Sequence, residues 1–293
     1  MAGLEQLKKR LRSVELSGQL AGAMRTVASA KYARINRMYA GYRHYAEEMA
    51  RLARLCGDSV IWHSGAADMP DCYVVLGHNR GMCGGYNAQL HAFMEEVLTK
   101  AARAGSDPAD TAGEAGQTPA PLVVLCGKAT IAYCQERGIR YERSFLLPDV
   151  PDFDACRPLL ALLESLYREG EVRSVHLIHQ HFVNTLSQVP ADKLLLPLEG
   201  SGEVGQADIL WIPDRETVCA DIGRRILDTV FFQTVLEAAL GAQAATLTAM
   251  RTAYDNATES AEKLTIQINK RRQSAVTTGV IETSSGALHE GEE

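Results

Sequence analysis

Apolar residues recur along the first fifty-odd positions at a fixed interval. Leu7, Val14, Ala21, Ala28, Ile35, Tyr42, Met49 and Cys56 return every seventh residue, and Leu4, Leu11, Tyr32, Tyr39, Ala46 and Ala53 fill the complementary heptad position. Gly18 and Arg25 interrupt that second row. No proline falls between Gly3 and Cys56. Between Asp214 and Ser274 the same kind of seam returns through Leu236, Leu240, Gln243, Leu247, Met250, Tyr254, Ala257, Ala261, Leu264 and Ile268, spaced alternately four and three apart. That spacing is the seam of a coiled coil. A continuous helix over 214–274 would be roughly 90 Å long, and an isolated helix gains little stability from propensity alone, so each stripe needs a partner. The simplest arrangement pairs the two terminal helices antiparallel, with a compact module inserted between them.

The middle of the chain has another rhythm. Cys72–Leu76 reads as a short buried strand and runs into a glycine-rich loop, Gly77 to Gly85. Residues 86–104 read as an amphipathic helix with Leu90, Phe93, Met94, Val97 and Leu98 on one side. The stretch 105–121 holds almost no apolar residue beyond alanine and reads as a surface loop. A second strand over 121–126 follows, then a Gly127-Lys128 turn, a helix over 129–137, a helix over 153–170, a strand over 172–183 and a short strand over 193–198. Strand, glycine turn and helix in alternation indicate a parallel α/β, Rossmann-like module. Asp214 stands where an N-cap is needed for the last helix, with Glu216 in its first turn. The expected organisation is an N-terminal coiled-coil helix over 1–57, a Rossmann-like α/β domain over 70–200 and a C-terminal coiled-coil helix over 209–285.

Composition adds limits. The chain has 293 residues, 46% of them hydrophobic and 23% charged, an ordinary profile for a water-soluble protein. No unbroken apolar run approaches a membrane span, and the first residues lack the apolar core of a secretion signal. The seven cysteines are scattered without a CxxC pair, which suits reduced thiols more than a disulfide or zinc framework. The net charge is −6, yet from Lys8 to Arg54 basic residues far outnumber Glu5, Glu15, Glu47 and Glu48. Such a face is either merely solvated or meets an acidic partner surface or nucleic acid.

Candidate chemistry is sparse. The glycines at 77, 81, 84 and 85 match neither dinucleotide nor phosphate-loop spacing. His176, His179 and His181 share one strand, and the last two share a face. No carboxylate or cysteine at ligand spacing completes a metal site around them. Nucleophile elbows and HExxH motifs are absent. Small residues such as Ala238, Ala242, Ala257 and Ala261 on the last helix allow close helix approach. The residues alone leave open a nucleotide-binding α/β enzyme with coiled-coil dimerisation arms, or a basic coiled-coil nucleic-acid binder with salt-dependent affinity.

Four blocks, in order, carry a resemblance over nearly the whole chain. They are Ala23-Met-Arg-Thr-Val-Ala-Ser-Ala-Lys31, Arg80-Gly-Met-Cys-Gly-Gly-Tyr-Asn87, Ala249-Met250 with Asp255-Asn-Ala257, and Asn269-Lys-Arg-Arg-Gln-Ser-Ala-Val-Thr277 with Gly286-Ala287. Together they resemble the γ subunits of F-type ATP synthases. The resemblance implies a non-catalytic rotor shaft: an antiparallel coiled coil inside a ring of three α and three β subunits, with the α/β domain resting on the ε subunit and the membrane-embedded c-ring. It implies catalysis on the β subunits, no cofactor or metal, no nucleic acid, and a peripheral place on the cytoplasmic face of a bacterial cell membrane, reached through partner subunits. By position it assigns Met24, Arg25, Lys31, Asn269, Arg272 and Gln273 to contacts with the α/β ring, and Arg80, Gly81, Gly84 and Gly85 to contacts at the base. Several positions depart from the family pattern. His78-Asn79 replaces a hydroxyl-Asp pair before Arg80, Ala242 and Thr246 stand where a Glu and an Arg are usual, Gly279 replaces an acid and Thr283 an apolar residue, and the end His289–Glu293 is acidic.

Overall fold

The computed structural model describes residues 2–56, 68–104, 119–198 and 210–289. Their order is α1 (Ala2–Cys56), β1 (Asp71–Leu76), α2 (Tyr86–Ala104), β2 (Leu122–Cys126), α3 (Lys128–Arg137), β3 (Arg143–Phe145), α4 (Phe153–Arg168), β4 (Ser174–Phe182), β5 (Gln188–Leu196) and α5 (Arg215–His289). The expected surface loop after α2, the loop beginning Glu199 and the tail from Glu290 fall outside the described residues. The chain divides into two compact units. One holds residues 28–246, and the other the N-terminal residues to Val27 with those from Leu247 onward.

In the 28–246 unit a five-stranded sheet has the order β3-β2-β1-β4-β5. β1 is parallel to β2 and β4, β2 is parallel to β3, and only β5 runs antiparallel, against β4. Every β1 residue from Cys72 to Leu76 is buried, because helices cover both faces of the parallel part. The alternation of the strand sorts these side chains. Cys72, Val74 and Leu76 join Leu159 and Leu163 of α4, Phe231 and Val235 of α5, and Ile35 of α1 in the larger core. Tyr73 and Val75 face the other way, onto Leu90 and Met94 of α2 and Cys134 of α3.

One strand is additional to those expected, and one boundary needs correction. β3 has no apolar run and exists because Arg143–Phe145 pairs with Val124–Cys126. β5 begins at Gln188, five residues before the expected start, because it completes a hairpin with β4 that carries Pro190 opposite Gln180. A proline is tolerated there because β5 is the edge strand.

α5 is capped as its sequence suggested: Thr217 N–H donates to Asp214 Oδ1 at 2.9 Å. Its first residue closes α1, since Arg215 Nη2 donates to the Cys56 carbonyl at 3.2 Å. Within this unit Tyr42 of α1 meets Phe232 of α5 edge-on, with centroids 5.0 Å apart. By length and composition α5 also contains a window apolar enough for a membrane span, which the absence of an unbroken apolar run had not suggested. That window is 67% buried inside the protein, and the Phe231–Ala244 stretch supplies core side chains.

In the other unit α1 and α5 run antiparallel. A Cβ on Gly18 would meet Ala257 Cβ at 3.2 Å, and one on Gly22 would meet the Tyr254 ring at 3.3 Å. Arg25 lies over the same ring, its guanidinium carbon 5.0 Å from the centroid. Contacts thus move up α1 as they move down α5. Gly18 and Arg25, the two breaks in the heptad, are seam positions: the glycine lets the backbones close, and the arginine covers an aromatic face.

Candidate functional site

Four places carry the candidate residues. The first is the loop after β1, at the C-terminal edge of the sheet, where doubly wound folds bind nucleotides next to the switch in strand order. Here that edge is filled from within the chain. Gly77 N–H donates to Cys126 O at 3.0 Å, Ala129 N–H to His78 O at 3.2 Å and Lys128 N–H to Asn79 Oδ1 at 3.3 Å. Thr130 occupies the space a side chain at 77 would need, and its hydroxyl pairs with His91 Nε2 at 3.1 Å. Tyr86 O–H donates to the Ala238 carbonyl of α5 at 2.8 Å, and Gln180 Nε2 donates to Tyr86 O at 2.9 Å. The cavity left beside His78, Asn79 and Asp149 measures about 40 Å³, against the roughly 300 Å³ or more of a ligand pocket. The backbone N–H groups of Gly77, Lys128 and Ala129 are already committed.

The same loop presents Arg80 outward, 65% exposed at its side chain, with Nε 3.9 Å from Asp149 Oδ2. Met82 and Gly84 have φ of 64° and 58°, and Gly81 has open space around it. Cys83 and Tyr86 turn inward onto Ala242. The unusual Ala242 therefore packs in a small apolar cluster, and Thr246 bonds its own helix through the Ala242 carbonyl at 2.8 Å. Asn79, standing where a carboxylate was expected, donates to Leu147 O at 2.7 Å and to Asp149 Oδ1 at 3.3 Å. Asp149 supplies the carboxylate instead.

Lys31 is the second place. It was expected to contact a partner, but its ammonium lies 2.6 Å from Asp149 Oδ2, so its charge is engaged within the chain. Burial by itself would raise the Asp149 carboxyl. The hydrogen bonds from Lys31 and Asn79, with the Lys31 charge, outweigh that and hold it below the usual carboxylate range. Sequence reasoning missed Asp149 because it stands in a loop more than a hundred residues from Lys31.

The third place is the far part of α5. From Asn269 to Ile281 every residue is exposed, including Asn269, Arg272 and Gln273. Val276, Val280 and Ile281 are 61%, 63% and 59% exposed. The hydroxyls of Thr277 and Thr278 turn back to the carbonyls four residues earlier. Met24 and Arg25 lie half-buried on α1, and Arg25 is spent partly on Tyr254.

The fourth is the histidine strand. His176 pairs with Asp192 across the hairpin at 3.0 Å. His179 and His181 face Glu237 of α5, with His181 Nδ1 2.5 Å from Oε1 and His179 Nε2 3.6 Å from Oε2. The sequence showed no carboxylate at ligand spacing; the fold brings one from a distant helix. Burial would raise Glu237. Hydrogen bonds from His179 and the Phe182 N–H, and the neighbouring imidazoles, hold it below its usual range.

The comparisons agree on one family. A family model described as ATP synthase matches residues 3–288. The ATP synthase gamma chain of Erythrobacter litoralis is 32% identical, covering 98% of this chain and 99% of that protein. The gamma chain of Desulfitobacterium hafniense is 29% identical over the same shares. Among solved structures, a chain of the Euglena gracilis mitochondrial ATP synthase comprising OSCP, F1 and c-ring aligns with a TM-score of 0.66 at 16% identity, covering 100% of this chain and 96% of that one. A chain of the Tetrahymena thermophila mitochondrial central stalk and c-ring aligns with a TM-score of 0.58 at 16% identity, covering 80% of this chain and 99% of that one. On the family match and the 32% identity to a full-length relative, this chain belongs to the ATP synthase gamma chains.

Proposed function

We propose that this chain is the central-stalk rotor of an F1Fo ATP synthase, coupling ion-driven rotation of a c-ring to ATP synthesis or hydrolysis in a ring of three α and three β subunits. The observation that carries the reading is the bare stretch of α5. A helix whose seam, Tyr254 apart, is buried or half-buried to Ile268 continues with every side chain exposed from Asn269 through Ile281. Exposed Val276, Val280 and Ile281, following Lys270, Arg271, Arg272 and Gln273, suit a surface that another subunit covers. The chain is a subunit of an enzyme complex, and in this reading the chemistry belongs to the β subunits. Met24, Arg25, Asn269, Arg272 and Gln273 meet the α/β ring, their donors suited to carboxylate and carbonyl partners. Lys31 acts through Asp149, fixing the loop that presents Arg80. Arg80, Gly81, Gly84 and Gly85 face the base partners, the ε subunit and the c-ring. The protein associates peripherally with the membrane, held at the cytoplasmic face of a bacterial cell membrane through its partners.

The test is affinity capture from the native host with a tag placed within 105–118, followed by subunit stoichiometry and an ATPase assay. Recovery of α- and β-type subunits at three to three to one with ATPase activity is the expected result. Recovery of the chain alone, or as a homodimer that binds nucleotide, would overturn the reading.

A further inference from the structure

We propose that His179, His181 and Glu237 form a binding site for one borderline divalent transition-metal ion, Zn²⁺ by preference, tying the end of β4 to the middle of α5. The three residues offer two imidazole nitrogens and a carboxylate oxygen, all within 4.8 Å of one another. Two histidines and a glutamate are a donor set that zinc takes with three protein ligands and a water in the fourth position. None of these side chains is among those assigned to partner contacts, so the proposal does not rest on that reading.

The surroundings orient each ligand. His179 is 2% exposed, and its Nδ1 lies 3.3 Å from the Leu177 carbonyl, an oxygen that can only accept. With the hydrogen on Nδ1, Nε2 is the nitrogen left to ligate, and it faces Glu237. That is the arrangement by which metal-bound histidines are fixed through their second nitrogen. Without a proton or a cation between them, Nε2 and the facing carboxylate oxygen are two acceptors 3.6 Å apart. Glu237 is 5% exposed, and the Phe182 N–H holds its Oε1 at 3.0 Å. The carboxylate is thus oriented. Lys193 is a further cation near Glu237. Its ammonium is drawn aside to the Thr234 hydroxyl at 3.2 Å.

The adjustment an ion demands is small. Bonds of about 2.0–2.1 Å in a tetrahedron set ligand atoms roughly 3.4 Å apart. The His179–Glu237 spacing is already 3.6 Å. His181, 56% exposed at its side chain, must draw back from its 2.5 Å contact with Glu237 and swing toward His179, and solvent on its outer side leaves it free to do so. The same exposed side supplies the water ligand. The competing arrangement is a proton on each imidazole and no metal.

The full-length chain, freed of metal with a chelator, is titrated with ZnCl₂ by calorimetry and with CoCl₂ by visible absorption. One equivalent of zinc is expected to bind and to raise the unfolding temperature. Cobalt is expected to show ligand-field bands without the near-ultraviolet thiolate charge transfer that cysteine ligation would produce. His181→Ala removes an exposed side chain and is expected to weaken zinc binding at least tenfold with unchanged secondary structure. Glu237→Gln, a buried substitution, is expected to do the same where it folds. Binding of no stoichiometric zinc, equal affinity in H181A, or a thiolate band in the cobalt spectrum would each overturn the proposal. The cobalt spectrum of the unmodified chain decides the ligand type even where a variant fails to fold.

Discussion

Replacing Gly77 by alanine probes the packing that closes the sheet edge and anchors the Arg80 loop. The backbone there is of a kind any residue adopts, so the effect is steric. The new Cβ would lie 1.8 Å from Thr130 Oγ1, 2.9 Å from Thr130 Cβ and 3.1 Å from the Cys126 carbonyl. Thr130 is fully buried, and rotating its side chain leaves its own Cβ at 2.9 Å. Relief therefore requires a displacement of more than about 1 Å in a close-packed interior, which costs about 1–3 kcal/mol. The Thr130–His91 hydrogen bond is lost with it, adding about 1 kcal/mol. We expect G77A to destabilise the chain by about 2–4 kcal/mol, read from the urea midpoint by circular dichroism. T130A alone loses the hydrogen bond, about 1–2 kcal/mol. The double variant G77A/T130A removes the shortest contact, so its loss should fall at least 1 kcal/mol short of the sum, beyond the roughly 0.5 kcal/mol scatter of independent sites. Gly127→Ala is the control. Its φ of 94° is left-handed, and its Cβ would lie 2.4 Å from the Gly77 carbonyl oxygen, so T130A should not rescue it. A G77A variant within 0.5 kcal/mol of the parent, or strictly additive losses, would refute the reasoning.

Three further outcomes follow from the same geometry. Ala257→Leu places three more carbons against Gly18, where even a Cβ is tight at 3.2 Å; a loss of about 1–3 kcal/mol and poor assembly are expected, and normal assembly would argue against the register. Asp149, Asp71 and Glu237 are each held below the usual carboxylate range despite burial, so below about pH 4 the unfolded chain binds more protons than the folded one and stability falls with pH. In D149N the acid limb of a stability–pH profile should flatten, with about 2 kcal/mol lost at neutral pH as the Lys31 pairing weakens; an unchanged limb would count against that pairing. Arg272→Ala with Gln273→Ala, both exposed, should leave stability within about 0.5 kcal/mol while lowering the ATPase rate of the assembled complex, and an unchanged rate would remove these residues from the partner surface.

The heptads were legible because a seven-residue period is a statement about one face of a helix. All eight positions from Leu7 to Cys56 are buried or half-buried, and so is every residue of the C-terminal seam except Tyr254, 37% exposed beneath Arg25. Strands β1 and β2 announced themselves as short apolar runs ending at a glycine, because helices cover both faces of a parallel sheet, and β4 as a longer strand with a rough alternation. β3 was invisible, since three residues without an apolar run become a strand only when β2 offers its edge.

By itself, then, the chain determined its terminal helices, its parallel core and, through four blocks of residues, its family. Local patterns can specify these, because each rests on the periodicity of one segment or on a contiguous motif. Tertiary structure alone decided the pairing of side chains far apart in sequence. It gave Lys31 to Asp149, turned the breaks at Gly18 and Arg25 into packed layers against Ala257 and Tyr254, and filled the nucleotide edge with Thr130, Tyr86 and α5. It also brought Glu237 to His179 and His181. Spacing in the sequence carries no trace of such pairings, because the distance between two side chains across a core is set by how whole elements pack.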